Sequence, residues 1–594
     1  MSTPDVFLKD ALAESLAAHV GRSSAARELL AMLRDGGDGA TPVRDASGAR
    51  GGKRARAAVR GLTGSARAFL VSWLQRELGR PLVYVVQHGE PWEAARDDVE
   101  YFRGRAATFP FPEPDASPYD PASPHPSVTA ERLDTLARLA GVPGGAGPEV
   151  GVVVATVRGV LQKVPAPEKL ARAVLALRTG EELDPQKLLE RLVFLGYERY
   201  PEVESVGHCA RRGGILDLWP VGWNDPLRVE FDGDSIASLR RFDAGTQRSL
   251  EKLQSARVLP RYEIVVEVAD AAGIAQRLRD AGDEAAKGGA ALFHEGMERF
   301  AGYYDPHLRG LLDHLPPGTA VVLDDPAALN ERAEDLWDGI RRGFDDARAH
   351  YPLISPPEQL WLPEDAWTEL CATRPGADLM GSIAAAGEAV RYASTLVVDC
   401  APPEPLQRSM EKLKNHLAEL GANGVAPVIL CDNQGQRDRL YELLGDSGAT
   451  LGVGLVSSGF TWRDAGLALL TDHEIFSRYR RRRRRSRRTG GLTAAELSAL
   501  KPGDYVVHED HGVGVYRGMK RLTLSGQETD CLELGYAGKD VLYVPVHQLA
   551  LVSRYSAGDG ARPSIHALGS AQWAKTKARA KRAIQDMADA LLKA

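Results

Sequence analysis

The chain has 594 residues, 44% of them hydrophobic and 26% charged, and a net charge of −6. That length exceeds a single core and indicates about four to six domains, while the near-balanced charge excludes a uniformly basic nucleic-acid binder and a disordered polyelectrolyte. The five cysteines (Cys209, Cys371, Cys400, Cys431 and Cys531) are scattered without a C-x-x-C pair, which argues against a disulfide framework or a zinc cluster and for a reducing compartment.

The N-terminal MSTPDVFLKDALAESLAAHVG carries Asp5, Lys9, Asp10 and Glu14 within its apolar pattern, so it is an amphipathic helix and no signal peptide. No apolar run approaches a membrane span, and the expected location is the cytoplasm. Residues 36–60, rich in Gly, Ala and Arg, read as a flexible insertion. GLTGSARAFLVSWLQREL, from Gly61, is then a glycine turn opening a helix, and PLVYVVQ an apolar strand.

This turn and helix stand where a phosphate-binding loop would. A working loop needs G-x-x-x-x-G-K-[ST], in which backbone N–H groups and the lysine hold phosphate and the hydroxyl holds magnesium. Ala66, Arg67 and Ala68 occupy the last three positions, so Gly61, Gly64 and Arg67 mark a degenerate loop whose plain reading is a turn capping a helix.

Further on, FPFPEPDASPYDPASPHPSVTAERL is too rich in proline for a helix or central strand and reads as an exposed loop leading into a helix at Thr129. A strand follows near Val152. From about Asp184 to Leu259 the pattern changes to ILDLWPVG, PLRVEFDGD and SIASLRRFDAGT, antiparallel strands with FDGD as a hairpin signal; this is an inserted α+β domain. Helices and strands such as TAVVLDD near Val321 resume the first α/β layer, and a third α/β unit spans about 380–475 with strands TLVVDC, APVILCD, VGLVSS and LALLTD.

RYRRRRRRSRR, Arg478 to Arg488, is a solvated linker or a phosphate-backbone contact without sequence preference, through Arg480, Arg482, Arg484 and Arg487. After it, KPGDYVVHEDHGVGVYRGMKRLTLSGQETDCLELGYAGKDVLYVPVHQLALVSRY has the β-branched and aromatic runs of a small β-barrel. QWAKTKARAKRAIQDMADALLKA closes the chain as an amphipathic helix without a cap, which suggests a chain that normally continues.

Among candidate sites, TDHEIF departs from the D-E-x-H box of motor proteins, because His473 separates Asp472 from Glu474; it reads as a strand end with surface acids. His508 and His511 of VVHEDHG read as part of a hairpin, and no metal is assigned. In GHCARRGGILDLWPVGWNDPLRVEFDGDSIASLRRFD, arginines beside Trp219 and Trp223 have the composition of a protein interface, with a core role for the tryptophans and solvated arginines as the equal alternative.

The barrel segment resembles the RNA polymerase interaction domain of the bacterial transcription-repair coupling factors, a Tudor-like barrel shared with CarD regulators. YERYPEVESVGHCARRGGILDLWP and LRVEFDGD are similar to the UvrA-binding domain that this family shares with the UvrB excision-repair protein, and GLTGSARAF stands where UvrB has its P-loop. The resemblance implies a multidomain α/β and α+β protein. Residues 1–170 and 261–375 would form a degenerate, UvrB-like, RecA-type α/β domain, interrupted by a UvrA-binding α+β domain at 171–260. A small α/β domain at 376–476, a basic linker at 477–495, a Tudor/SH3-like polymerase-interaction barrel at 496–560 and a connector helix at 561–594 would follow.

It also implies partners and sites. Leu522, flanked by Lys520 and Arg521, falls at the position that meets the polymerase β subunit, on an edge strand. Arg212, Trp219, Arg228 and Glu230 occupy positions resembling the UvrA contact surface. The family's ATP- and magnesium-dependent motor, with its hold on double-stranded DNA, and the C-terminal domain that masks the UvrA site are absent from this chain, so the resemblance is to an N-terminal half with no cofactor of its own and with exposed UvrA contacts. Two other readings stay open: retained nucleotide binding in the UvrB-like part, and a CarD-like transcription regulator that binds DNA through the arginine run.

Overall fold

The computed structural model describes residues 12–35, 54–142, 150–280, 293–381, 392–476 and 500–554, apart from short gaps inside these stretches. The described residues form two compact units: one within Met1–Pro114, Pro126–Phe293 and Glu298–Arg481, the other within Asp115–His125, His294–Met297 and Arg482–Ala594. The architecture is multidomain and mixed α/β. No helix among the described residues is long and apolar enough to cross a membrane.

In the larger unit, seven strands pair in the order Tyr392–Val397, Arg54–Arg60, Gly376–Leu379, Ala320–Asp324, Leu82–Val85, Val152–Ala155 and Thr108–Phe111, all parallel. Parallel strands covered on both faces need unbroken apolar runs, which LVYV, VVVA and AVVLD supply. Helix Ala66–Leu78 buries Phe69 against Phe102 of helix Glu90–Arg103, ring centroids 4.6 Å apart.

Three segments depart from the sequence reading. Arg54–Arg60, placed in a flexible insertion, is an inner strand paired on both sides. RARAAVR lacks the apolar run of such a strand because its register is held by Arg56, which is fully buried. The Arg56 guanidinium donates to Asp378 from Nε (2.8 Å) and Nη2 (2.5 Å), and from Nη2 to the Val321 and Ala377 carbonyls (2.9 and 3.1 Å). Tyr392 completes the carboxylate with a 3.0 Å hydrogen bond. The strand containing TLVV, placed with the 380–475 unit, is the edge strand beside Arg54–Arg60. FPF, read as exposed loop, contributes Phe109 and Phe111 to the core; Pro110 is tolerated because Thr108–Phe111 is the opposite edge strand.

Two antiparallel strands, Leu175–Arg178 and Ser255–Val258, form a neck. Between them a meander runs in the order Ser249–Leu253, Ser235–Phe242, Leu227–Asp232, Ile215–Leu218, His208–Arg212, with Glu198–Arg199 added in parallel. FDGD forms the expected hairpin: Asp232 pairs with Ser235, and Gly233 takes φ +59°. A further sheet combines parallel strands Thr450–Val453, Ala426–Cys431 and Leu467–Thr471 with Phe460–Trp462 and Cys400–Ala401.

In the smaller unit, five antiparallel strands lie in the order Val541–Pro545, Gln527–Gly535, Gly512–Leu524, Tyr505–His508 and Val552–Arg554, around Val506, Leu532, Leu534 and Val552. The predicted linker at 477–495 and connector helix at 561–594 lie outside the described residues.

Removing one partner of a buried ion pair strands the other charge. Arg56→Met is therefore expected to destabilise the larger unit by about 3–5 kcal/mol, read as a lowered urea midpoint of its tryptophan fluorescence transition. A midpoint unchanged from wild type would show that the pair does not hold the register.

Candidate functional site

Two places gather the predicted residues of the larger unit. At the first, strand Arg54–Arg60 turns through GLTGS into helix Ala66–Leu78, the strand–turn–helix order of a phosphate loop. Gly61 and Gly64 have φ of +95° and +53°. Both are also required by close approach: a Cβ on Gly61 would lie 2.1 Å from the Val398 carbonyl oxygen, and one on Gly64 2.3 Å from Ser458 Oγ.

The loop is thus covered by protein. Ser65 Oγ donates to the Ser458 carbonyl (2.6 Å), and Ser457 N–H to Asp98 (2.5 Å). Glu474 accepts from Gly459 N–H (2.8 Å) and from Thr471 N–H and Oγ (3.1 and 2.8 Å), bracing the covering segment. Glu474 and the buried Asp472 are therefore not the surface acids of the sequence reading. Arg67, at the lysine position, forms an ion pair with Asp324 and reaches the Met380 carbonyl at 3.3 Å. Tyr84 donates to the other Asp324 oxygen at 2.5 Å; burial first, then the Asp324 charge, raise its hydroxyl well above an ordinary phenol, so it stays a donor.

The second place is one face of the meander. Cross-strand pairs put Ala210, Asp217, Arg228 and Arg240 in one row and Arg212, Ile215, Glu230 and Ser238 in the next. By alternation, Leu216, Val229 and Leu239 point the other way and are fully buried. Asp217, only 3% exposed, clamps the polar face: Arg228 binds it bidentately at 2.7 and 2.9 Å, and Arg212 approaches at 3.2 Å while reaching Glu202 at 3.0 Å. Arg228 also lies over the Phe242 ring and donates to Gln247 at 3.0 Å. The bonds to Asp217 raise its pKa above the ordinary arginine value and keep it charged.

Glu230 accepts from Ser238 and faces Arg240 at 3.5 Å. Trp219, half-buried, continues the alternation onto this face and donates its indole N–H to the Trp223 carbonyl at 3.1 Å. Beside it Tyr200 and His208 stack at 3.9 Å. Trp219 is neither fully core nor free; Arg228 is largely buried against Asp217, whereas Arg212 is paired yet exposed. Arg212, Trp219, Arg228 and Glu230 thus share one face. Sequence reasoning missed Asp217, the acid inside ILDL whose alternation with two leucines was the available signal, and the Tyr200–His208 stack.

In the smaller unit, Gly512–Leu524 is flanked on both sides at its start; from Gly518 to Leu524 its pairing among the described residues is with Gln527–Glu533 alone. Leu522 pairs with Thr529 in that one-sided stretch. Lys520 is exposed, with Nζ 5.5 Å from the Tyr543 ring centre and 3.4 Å from its hydroxyl; Arg521 is exposed. His508 is buried, while His511 and Arg480, Arg482, Arg484 and Arg487 lie outside the described residues.

The meander and the five-stranded sheet both match known domain families. Residues 175–263 match the UvrB interaction domain, and residues 500–556 match the CarD-like/TRCF RID domain. Over nearly its whole length the chain resembles the transcription-repair-coupling factors. It is 31% identical to that of Myxococcus xanthus over 91% of this chain and 49% of the relative, 29% identical to that of Escherichia coli over 89% and 48%, and 26% identical to that of Bacillus subtilis over 90% and 48%. The chain spans about half the length of the curated relatives it matches.

Burial lowers the pKa of His208 below its ordinary 6.5, with Arg261 adding to the shift and Glu198 opposing it. The stability contributed by the neutral ring is complete above that ordinary value and declines as the pH falls through it toward the depressed one. A titration of the His208 ring by NMR is expected to give a midpoint below 6.5, and a midpoint above it would mean that Glu198 dominates.

Proposed function

We propose that this chain is a docking scaffold of transcription-coupled DNA repair, which recruits UvrA through the polar face of the meander and engages RNA polymerase, at its β subunit, through the 500–556 domain. The observation that carries this reading is the presence on one chain of a UvrB interaction domain and a CarD-like RID domain, in a sequence that follows the coupling factors almost throughout.

The geometry supports the roles assigned to the residues. Asp217 fixes Arg228 and orients Arg212, so a partner's carboxylates meet guanidiniums that have already lost rotamer freedom. Trp219 adds a half-buried anchor, and Glu230 with Arg240 gives the rim both signs of charge. At the second site, the one-sided stretch around Leu522 suits addition of a strand from the polymerase, with Lys520 and Arg521 meeting acidic groups. The five-stranded sheet would be a Tudor-like barrel. Holding both partners on one chain raises their mutual effective concentration without chemistry at the junction.

The seven-stranded layer is read as a RecA-type domain kept for architecture. Segment 457–459 covers the loop where phosphate would lie, and Arg67 is spent on Asp324, so ATP and magnesium would act in motor domains of the coupling-factor type, which would also grip double-stranded DNA. The cytoplasm is the matching location.

A co-purification assay with two arms tests the docking roles. Arg212→Ala with Arg228→Ala is expected to lose UvrA and keep RNA polymerase, and Leu522→Arg the reverse; retention of UvrA by the double variant, or of polymerase by Leu522→Arg, would overturn the corresponding assignment. Calorimetric titration with ATP and magnesium is expected to give only heat of dilution, and a saturable heat would return the loop to the nucleotide-binding class.

A further inference from the structure

The parallel strands Ala426–Cys431 and Leu467–Thr471 lie side by side and end together. The residues just past their carboxyl ends are Asp432 on one, and Asp472 and His473 on the other. In open α/β sheets that crevice is where ligands gather. Here it holds two carboxylates and an imidazole whose ligand atoms lie within 4.8 Å of one another. His473 Nε2 is 2.9 Å from Asp432 Oδ1 and 3.9 Å from Asp472 Oδ1.

We propose that Asp432, Asp472 and His473 form a binding site for a divalent transition-metal ion, with zinc as the best-suited ion. The donor set of two oxygens and one nitrogen is of the borderline type that zinc accepts, and three protein ligands plus water complete a tetrahedron. At bond lengths of about 2.0–2.2 Å, tetrahedral ligands stand roughly 3.3–3.6 Å apart, so the two separations from Nε2 need adjustments of about half an ångström. Two carboxylates neutralise the ion's charge. Asp472, 3% exposed, keeps its carboxylate out of water, where a cation gains most.

His473 Nε2 shares a hydrogen with Asp432 at 2.9 Å, so coordination through Nε2 displaces that hydrogen and leaves the ring's remaining proton on Nδ1.

The bland alternative is an Asp–His ion pair that needs no ion, and the two separate by experiment. The whole chain, dialysed against chelator and titrated calorimetrically with zinc chloride and in parallel with manganese chloride, is expected to bind zinc at one ion per chain and to melt at a higher temperature with zinc present. His473→Ala and Asp432→Asn, chosen because both side chains are partly exposed, are expected to weaken binding about tenfold or more and to abolish the melting shift, with unchanged circular dichroism as the check on folding. No stoichiometric binding in the wild-type chain, or equal binding in the folded variants, would leave only the ion pair and overturn the site.

Discussion

A guanidinium and a carboxylate sealed from water hold the largest sheet together. Arg56 and Asp378 lie 322 residues apart in the chain, yet the strands that carry them are neighbours, and the arginine reaches past its partner to a carbonyl of the next strand. Three strands are thereby locked in one register at a point where the local sequence, RARAAVR, gives little apolar cohesion. Gly376 shows how closely the parts meet: a Cβ there would fall 1.9 Å from the Val321 carbonyl oxygen and 2.6 Å from Arg56 Nη1. Everything built on that sheet inherits its alignment, including the glycine turn that follows Arg60 directly.

That turn acts as a joint between two sheets. Its glycines are approached closely by the chain itself, Gly61 by Val398 and Gly64 by the 457–459 segment, which Glu474 and Asp98 brace. Arg67 turns inward to Asp324, whose second oxygen is held by Tyr84. An internal network joins the first sheet to the sheet of residues 400–471, a junction also sealed by Phe69 against Phe460 and Trp462.

Much of this was legible from local pattern. Apolar runs marked the inner strands at Leu82, Val152 and Ala320, and FDGD marked its hairpin. What escaped was whatever depends on partners distant in sequence. Arg54–Arg60 looks like a linker until Asp378 is placed beside it. Asp217 looks like one more surface acid until two arginines converge on it, and His473 has no companion at ligand spacing because Asp432 stands 41 residues away. The Phe-Pro-Phe segment misleads for another reason: proline argues against an inner strand but is tolerated on an edge, and no local signal separates the two.

The neck formed by Leu175–Arg178 and Ser255–Val258 closes the meander's incoming and outgoing chain into one short ladder. The sheet beneath it therefore feels a fixed pair of anchor points, whatever lies above them. The length of the meander between those two points is therefore free of the register of the parallel sheet, although its surface also meets the host where Gly222 packs against Ala130.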